Sequence, residues 1–207
     1  MKILFYGDSI TDAGRDRETA VPNTGLGSGY VACTATRLLE RDPAGYEIYN
    51  RGISGNRIVD LYSRIKIDCW NLKPDVLSIL IGINDIWHEI SRENGVEIDR
   101  FERVYHTLLA ETKERLPDVK LIICEPFVLS GSATEENIER FLEVKEYAKV
   151  VKKLADEFGA VYVPLQDMFD KNGAKYGNAK MLRDGVHPTL EGSTLLACEW
   201  LKGFEKL

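Results

Sequence analysis

The sequence predicts a three-layer α/β/α fold around a roughly five-stranded parallel sheet. Two observations predict it. Short apolar runs alternate along the chain with longer amphipathic stretches, and the run at 76–81 is almost continuously hydrophobic. Alternation of strands and helices favours parallel strands joined by right-handed crossovers, with helices on both faces of the sheet. A continuously apolar strand is typical of a central position that is buried on both faces.

The individual elements follow from the same patterns. Five runs have the length and apolar character of strands, and they cover residues 2–6, 46–50, 75–81, 119–124 and 160–164. Helical patterns lie between and after them, at 29–41, 57–70, 99–116, 135–158 and about 190–205. In the fourth of these, a spacing near 3.6 residues relates Ile138, Phe141, Leu142, Lys145 and Ala148, and it is continued by Val151, Leu154 and Phe158. A chain of 207 residues is long enough for a full core, and we expect one domain over residues 1–207.

The composition argues against several classes of function. The net charge is −6, and acidic and basic residues are interspersed, so we expect neither a nucleic-acid partner nor stable association with a membrane. The first apolar run is too short for a signal peptide, and no segment approaches transmembrane length. The four cysteines contain no C-x-x-C pair, which favours reduced thiols over a zinc site. These features together predict a cytoplasmic protein.

Residues 12–28 do not fit the alternation of strands and helices. The segment has no apolar period and is rich in glycine, asparagine and charge. A loop of this length in a compact fold is usually functional or disordered. Since it follows closely on a strand, we expect it to form the rim of a pocket, and a mobile surface loop is the alternative.

Ser9 is the first candidate for chemistry. It follows the strand at 2–6 with only Gly7 and Asp8 between, and sites in α/β proteins lie where strands end. Asp8 or Ser9 could simply cap the next helix, which is a common role for these residue types. The other interpretation makes Ser9 a nucleophile, and that role needs partners elsewhere in the chain.

Two turns offer donors for a developing negative charge. In "NRGISGN" at 50–56, glycines and asparagines permit a tight turn that exposes backbone N–H groups, including that of Gly55. In "GINDIW" at 82–87, the Asn84 amide can donate to an oxyanion, and Asp85 can bond to the local backbone. Each motif alone is also consistent with an ordinary turn after a strand.

The segment "DGVHPT" at 184–189 offers a base. His187 stands in a loop before the last helix, and Asp184 precedes it by three residues. In a turn, this spacing lets the carboxylate bond to one ring nitrogen and leaves the other free to accept a proton. His106 falls in a helical pattern. His88 follows "GINDIW", and it could either line the pocket or lie in a solvated loop.

Together these blocks resemble the SGNH hydrolases, also called the GDSL esterase/lipase family. "GDSIT" (7–11), Gly55 in "ISG", "GIND" (82–85) and "DGVHP" (184–188) occur in the family's order and span nearly the whole chain. The resemblance implies a flavodoxin-like fold, with Ser9 as nucleophile, His187 as base and Asp184 as its partner. It also implies an oxyanion hole made by the Ser9 and Gly55 N–H groups and the Asn84 side chain, and it requires no metal or organic cofactor.

The segments "TGLGSGYV" (24–31), "NRGISGNRIVDL" (50–61) and "ILIGINDIW" (79–87) resemble the intracellular acetylxylan and xylo-oligosaccharide acetylesterases of this family. This branch implies a small-molecule ester substrate, an acetylated sugar, and a homo-oligomer. The chain shows no apolar segment that would serve as a lipid lid, which also favours a short acyl group. Candidate substrate-binding residues are Asp8, Trp87 and Tyr30, of which Trp87 could stack on a sugar ring or pack in the core.

Two other functions stay open at the level of sequence. A lysophospholipase or thioesterase would use the same machinery on longer acyl chains, in a wider and more apolar pocket. A non-catalytic flavodoxin-like binding module would use "GDSIT" to hold a phosphate at a helix N-terminus. The module would leave Asn84 and "DGVHP" without a role, which favours the esterase.

Overall fold

The computed structural model describes residues 1–207, and its centre is one sheet of five parallel strands. The strands are β1 (Lys2–Gly7), β2 (Glu47–Gly52), β3 (Val76–Leu80), β4 (Lys120–Cys124) and β5 (Val161–Val163), in the spatial order β2-β1-β3-β4-β5. The prediction of a five-stranded parallel sheet is confirmed. Each strand lies within two residues of its predicted bounds, because its ends coincide with the ends of an apolar run.

The strands at the centre of the sheet are apolar because both of their faces are covered. Every residue of β3 is buried, and β1 lies between β2 and β3, with Ile3 paired to Ile48 on one side and to Val76 on the other. Strand β2 forms one edge. Its outer side is covered by Asn23, whose backbone and side chain bond to Tyr46 and Ile48.

Ten helices surround the sheet, and they have the bounds α1 (Ser9–Asp12), α2 (Tyr30–Arg41), α3 (Ile58–Ile65), α4 (Ile83–Arg92), α5 (Ile98–Arg115), α6 (Ile138–Phe141), α7 (Val144–Glu157), α8 (Gln166–Tyr176), α9 (Asn178–Met181) and α10 (Leu190–Phe204). Helices α2 and α10 pack together, while α5 packs against α3 and α7. Helices α7 and α10 both contact β4 and β5 but do not pack against each other. They therefore lie on opposite faces of the sheet. No helix of this fold is both long and apolar enough to cross a membrane.

The helices depart from the sequence prediction in three places. The pattern at 57–70 forms α3 and then a single π-turn over Lys66–Trp70. The pattern at 135–158 is divided into a 3₁₀ turn at Glu135–Asn137, helix α6 and helix α7, with residues 142–143 between the two helices. Helices α4, α8 and α9 were not predicted, since α8 and α9 are rich in Asn, Asp, Gly and Lys and α4 has Asn84 and Asp85 in its first turn.

The strand order also determines where a ligand can bind. From β1 the chain passes to β2 on one side and then crosses to β3 on the other side of β1. Open α/β sheets bind ligands in the crevice at such a switch point, outside the carboxyl ends of the strands. The segments that leave β1, β2 and β3 here contain Ser9, Gly55 and Asn84 in that order.

Candidate active site

Ser9 is held at the end of β1 by a short turn. It is the first residue of α1, and Asp8 caps this helix by accepting a hydrogen bond from the Ile10 N–H at 2.9 Å. Gly7 allows the turn to pass close to the neighbouring strand, because a Cβ there would clash with the Leu80 carbonyl oxygen and with Thr11. The cap interpretation therefore applies to Asp8, and Ser9 is left facing the crevice.

The Ser9 hydroxyl, the His187 ring and the Asp184 carboxylate form a continuous chain of hydrogen bonds. Ser9 Oγ lies 2.8 Å from His187 Nε2, and His187 Nδ1 lies 2.7 Å from Asp184 Oδ2. An ionised carboxylate can only accept, so Nδ1 carries the proton and Nε2 is the acceptor for the Ser9 hydroxyl. The two residues that lie 178 positions apart in sequence thus meet in the arrangement that a nucleophile and its base require.

Asp184 is kept ionised by the turn in which it lies. Burial opposes its ionisation, but the His187 ring and the backbone N–H groups of His187 and Val186 outweigh burial, and they hold the pKa of Asp184 well below its usual range. Both N–H groups donate to Oδ1, at 2.8 and 3.0 Å, which leaves Oδ2 for the ring. This is the close Asp–His spacing that the sequence analysis expected of a turn.

Donors from the loop after β2 and from the first turn of α4 face the same crevice. The Asn84 amide donates one N–H to the Asn56 carbonyl at 3.0 Å, which fixes its orientation and leaves its second N–H free. Gly55 lines the cavity at a φ of 84°, a conformation that favours glycine, and its N–H donates to no protein acceptor. The Ser9 N–H begins a helix and has no partner within it.

Two buried carboxylates join these loops to one another, and sequence reasoning missed both contacts. Asp12 Oδ2 accepts bonds from the Ser54 N–H and hydroxyl at 3.0 Å and also pairs with Arg17, which ties the Gly55 loop to α1. Asp85 was expected to bond locally, but its Oδ1 accepts from the Ile58 N–H, 27 residues away, at 3.0 Å. The apolar neighbours of Asp85 in "GINDIW" were the available signal of its burial.

The crevice opens into a cavity of about 600 Å³ whose lining residues are mostly polar or small. Trp87 forms part of its wall. The ring packs edge-on against Phe141, and its centroid lies 5.9 Å from that of His187. His88 also lines the cavity, from helix α4 rather than from a loop, and burial together with Arg92 and Arg57 lowers its pKa.

The segment 12–28 contributes its two ends to the rim of this cavity, through Ala13, Gly14 and Ser28. Its middle runs along the edge strand β2 instead. Arg15 is buried and donates from Nε to the Gly52 carbonyl at 2.7 Å, so the segment is tied to the fold as well as to the pocket.

Two predicted substrate contacts are wrong. Tyr30 is completely buried: its ring packs edge-on against Phe5, and its hydroxyl contacts Thr11 Oγ1. Asp8 is also completely buried, beneath Ser9, because its carboxylate turns inward to cap α1. Neither residue lines the cavity, whereas Trp87 does.

Asp8 and Asp85 share an unusual environment. Each uses one oxygen to accept a backbone N–H, and the second oxygen is buried without a partner. Burial raises the pKa of Asp8 to about 7, although the Ile10 N–H and His187 act in the opposite direction. Burial also raises the pKa of Asp85 well above its usual value, and the charge of Asp8 adds to this effect.

Comparison with known proteins finds relatives over nearly the whole chain. The model of the GDSL-like lipase/acylhydrolase family matches residues 5–195. The chain is 38% identical to an acetylxylan esterase of Geobacillus stearothermophilus, over 99% of this chain and 94% of the relative. A crystal structure of that esterase, Axe2, superposes with a TM-score of 0.87 at 35% identity, over 98% of this chain and 93% of the other. A GDSL-like lipase-type protein of Parabacteroides merdae superposes with a TM-score of 0.93 at 44% identity, over 99% and 95%.

These similarities cover nearly the whole chain, and the crevice lies where the blocks of the family motif meet. The protein is a carboxylic ester hydrolase. It belongs to the GDSL-like lipase/acylhydrolase family.

Proposed function

We propose that this chain is a serine esterase that removes acetyl groups from carbohydrates such as xylo-oligosaccharides. Ser9 is the nucleophile, and His187 is the general base. Asp184 orients the His187 ring and stabilises its protonated form. The observation that carries the proposal is the hydrogen-bonded chain from Ser9 through His187 to Asp184, with distances of 2.8 and 2.7 Å. In the relative Axe2, replacements of a serine and of an aspartate give catalytic mutants, which is consistent with these roles.

The first half of the reaction forms an acyl-enzyme. As Ser9 Oγ attacks the ester carbonyl carbon, its proton passes to His187 Nε2, and Asp184 stabilises the imidazolium that results. The tetrahedral intermediate then collapses, and the C–O bond to the alcohol breaks. The departing alcohol oxygen takes the proton back from Nε2.

The oxyanion of the intermediate is stabilised by the free N–H groups of Ser9, Gly55 and Asn84. These donors are neutral, and the Asn84 amide is already held in place by the Asn56 carbonyl. Donors fixed before the reaction stabilise the transition state without a cost for reorientation. In the second half, His187 takes a proton from water, the water oxygen attacks the acyl carbon, and the acid leaves as Ser9 regains its proton.

The cavity supports a short acyl group on a polar alcohol. Most of its lining residues are polar or small, and Trp87 offers an aromatic ring of the kind that stacks on a sugar. Binding of a longer acyl chain would require apolar surface to receive it, since each buried CH₂ contributes about 0.8 kcal/mol only in an apolar site. The names of the relatives, acetylxylan esterase and acetyl-xylooligosaccharide esterase, support the same class of substrate.

The proposal is tested by a series of p-nitrophenyl esters of acetate, butyrate, octanoate and palmitate, followed by acetate release from acetylated xylo-oligosaccharides. We expect hydrolysis that falls steeply beyond butyrate and that disappears in Ser9→Ala. The matched control is Ser63→Ala, because Ser63 is exposed on α3 and its hydroxyl bonds only to the Asp60 carbonyl. A rate that rises toward octanoate would favour the lysophospholipase or thioesterase. Hydrolysis that survives in Ser9→Ala would show that another residue is the nucleophile.

A further inference from the structure

The charged residues that line the cavity are all of one sign. Arg92 and Arg183 are the only Lys, Arg, Asp or Glu side chains in its lining, although the chain as a whole has a net charge of −6. The remaining lining residues are neutral polar groups, small residues, Trp87 and the two histidines. The charged side chains exposed in the lining are therefore cationic, although the molecule as a whole is acidic.

Arg92 has no partner within the protein. It lies in the last turn of α4, is exposed, and forms no hydrogen bond or ion pair through its side chain. A basic residue at this end of a helix interacts favourably with the helix dipole, which gives Arg92 a modest structural role. That role does not use its five N–H donors, which stay free for a ligand.

Arg183 lies on the other side of His187 and is also largely free. Its side chain is 70% exposed, and its Nε lies 3.9 Å from Asp184 Oδ2, beyond hydrogen-bond distance. Both oxygens of Asp184 already accept hydrogen bonds, from the His187 ring and from two backbone N–H groups, without a contribution from the guanidinium. The one hydrogen bond that Arg183 donates is from its backbone N–H to the His187 carbonyl, at 2.9 Å.

We propose that Arg92 and Arg183 bind an anionic group on the alcohol part of the ester, so that the preferred substrate is an acetylated sugar that also carries a carboxylate or a phosphate. Guanidinium groups suit both anions, because their planar fork matches two oxygens at once. The cavity of about 600 Å³ has the volume of a site for a ligand larger than an acetylated monosaccharide. This inference rests on the proposed function, since it concerns the leaving alcohol of the same reaction.

The two arginines are exposed, so their contribution is moderate and sensitive to salt. An exposed ion pair contributes about threefold in binding, and two pairs together contribute about tenfold because such factors multiply. The screening length falls from about 30 Å at 0.01 M salt to about 3 Å at 1 M, and the preference should fall with it. Any stabilisation of the reaction's oxyanion by the arginines applies equally to neutral and anionic substrates, and it cancels when the two are compared.

The test compares kcat/KM within two matched pairs of acetylated substrates. One pair is a neutral xylo-oligosaccharide and the same oligosaccharide with a glucuronic acid side group, and the other is a sugar phosphate and its unphosphorylated form. We expect the unmodified protein at low salt to prefer at least one anionic substrate over its neutral match by about tenfold. The preference should fall to about one in the double variant Arg92→Gln/Arg183→Gln and at 1 M salt. The uronic acid and phosphate arms show which anion is the ligand.

The control is Arg103→Gln, which removes one positive charge from an exposed arginine on α5 that has no side-chain partner and lies outside the cavity. It should keep the full preference. Equal kcat/KM values for the anionic and neutral substrates in the unmodified protein would overturn the inference while leaving the esterase intact. Absence of Ser9-dependent hydrolysis of p-nitrophenyl acetate would instead refute the proposed function, so the two failures are distinguishable.

Discussion

Two aspartates lie close enough to His187 to be affected by its charge, and their surroundings drive their ionisation in opposite directions. Asp184 is partly exposed and accepts hydrogen bonds from the His187 ring and two backbone N–H groups. Asp8 is completely buried, accepts one N–H bond, and keeps one oxygen without a partner. The pKa of Asp184 is held below its usual range, while burial raises the pKa of Asp8 to about 7.

The two carboxyls differ in whether burial is offset: the His187 ring and two backbone N–H groups outweigh burial at the partly exposed Asp184, whereas the fewer donors of the completely buried Asp8 do not. Burial raises the pKa of both residues, and only at Asp184 do the donors outweigh it. The loop 184–188 supplies these donors from its own backbone, so a turn of a few residues is sufficient to produce an ionised partner for the base.

The largest effect is expected from Asp184→Asn. The amide would donate to Nδ1, which places the ring proton on Nε2 and removes its ability to accept from Ser9. We expect kcat on p-nitrophenyl acetate to fall by about 10⁴-fold without loss of folding by circular dichroism. Asp8→Asn keeps the cap acceptor and should lower kcat far less. A wild-type rate in Asp184→Asn would show that the ionised Asp184 does not support the base, and it would indicate a Ser–His dyad.

Asp8→Asn should instead change how stability depends on pH. With a folded pKa of about 7 against an ordinary 3.8, the native state holds a proton that the unfolded state releases, so the free energy of unfolding falls as pH rises from about 4 to about 7. This loss is on the order of 4 kcal/mol. The variant should lack this part of the slope in urea unfolding between pH 4 and 8.

Asp184→Asn is the matched control for that slope. A carboxyl with a lowered folded pKa contributes stability above its ordinary pKa of 3.8 and loses it only at lower pH. The Asp184 variant should therefore keep the wild-type slope between pH 5 and 8. A slope that is the same in all three proteins would show that folding does not raise the pKa of Asp8.

Asn84→Ala leaves Asp8 and Asp184 in place and tests the contribution of an uncharged oxyanion donor. Removing one oxyanion donor should lower kcat by about 10²–10³-fold, or ~3–4 kcal/mol, with little change in KM. The effect should be constant across pH, because an amide does not titrate. A kcat within the error of the wild type would remove Asn84 from the oxyanion hole.

The smallest effect is expected at Asp85, the second buried carboxyl. Asp85→Ala removes the acceptor for the buried Ile58 N–H, and we expect the free energy of unfolding to fall by about 1–3 kcal/mol. Asp85→Asn keeps an acceptor and should lose less in the same chemical denaturation measurement. Equal losses of unfolding free energy in the two variants would mean that Asp85 stabilises the fold by a contact other than its bond to the Ile58 N–H.

The sequence predicted the sheet well because each strand is an apolar run with abrupt ends. It did not predict α4, since "INDIWHEISR" opens with residues typical of turns, although Ile83, Ile86 and Ile90 have helical spacing. The first turn of that helix contains Asn84, so the fold places this donor on a rigid element rather than in a loop.

The grouping of Ser9, Gly55, Asn84, Asp184 and His187 followed from their positions after strands and before the last helix. The contacts that support them could not be read from the sequence. Asp12 reaches Ser54 and Asp85 reaches Ile58 across separate loops, and no local pattern specifies such a pair. Tyr30 was wrongly assigned because a residue that begins a helix after a polar loop can face either the cavity or the core.

Arg92 and Arg183 differ from the rest of the cavity in what their replacement would cost the fold. Buried groups such as Asp12 and Asp85 hold the surrounding segments together, whereas both guanidiniums are exposed, Arg92 without a side-chain partner and Arg183 with only Asp184 nearby, at 3.9 Å. Exchanging either for a neutral residue alters the charge that an incoming ester meets and leaves Ser9, His187 and Asp184 in place. Replacements at these two rim positions are therefore changes that the fold can accept without first acquiring extra stability.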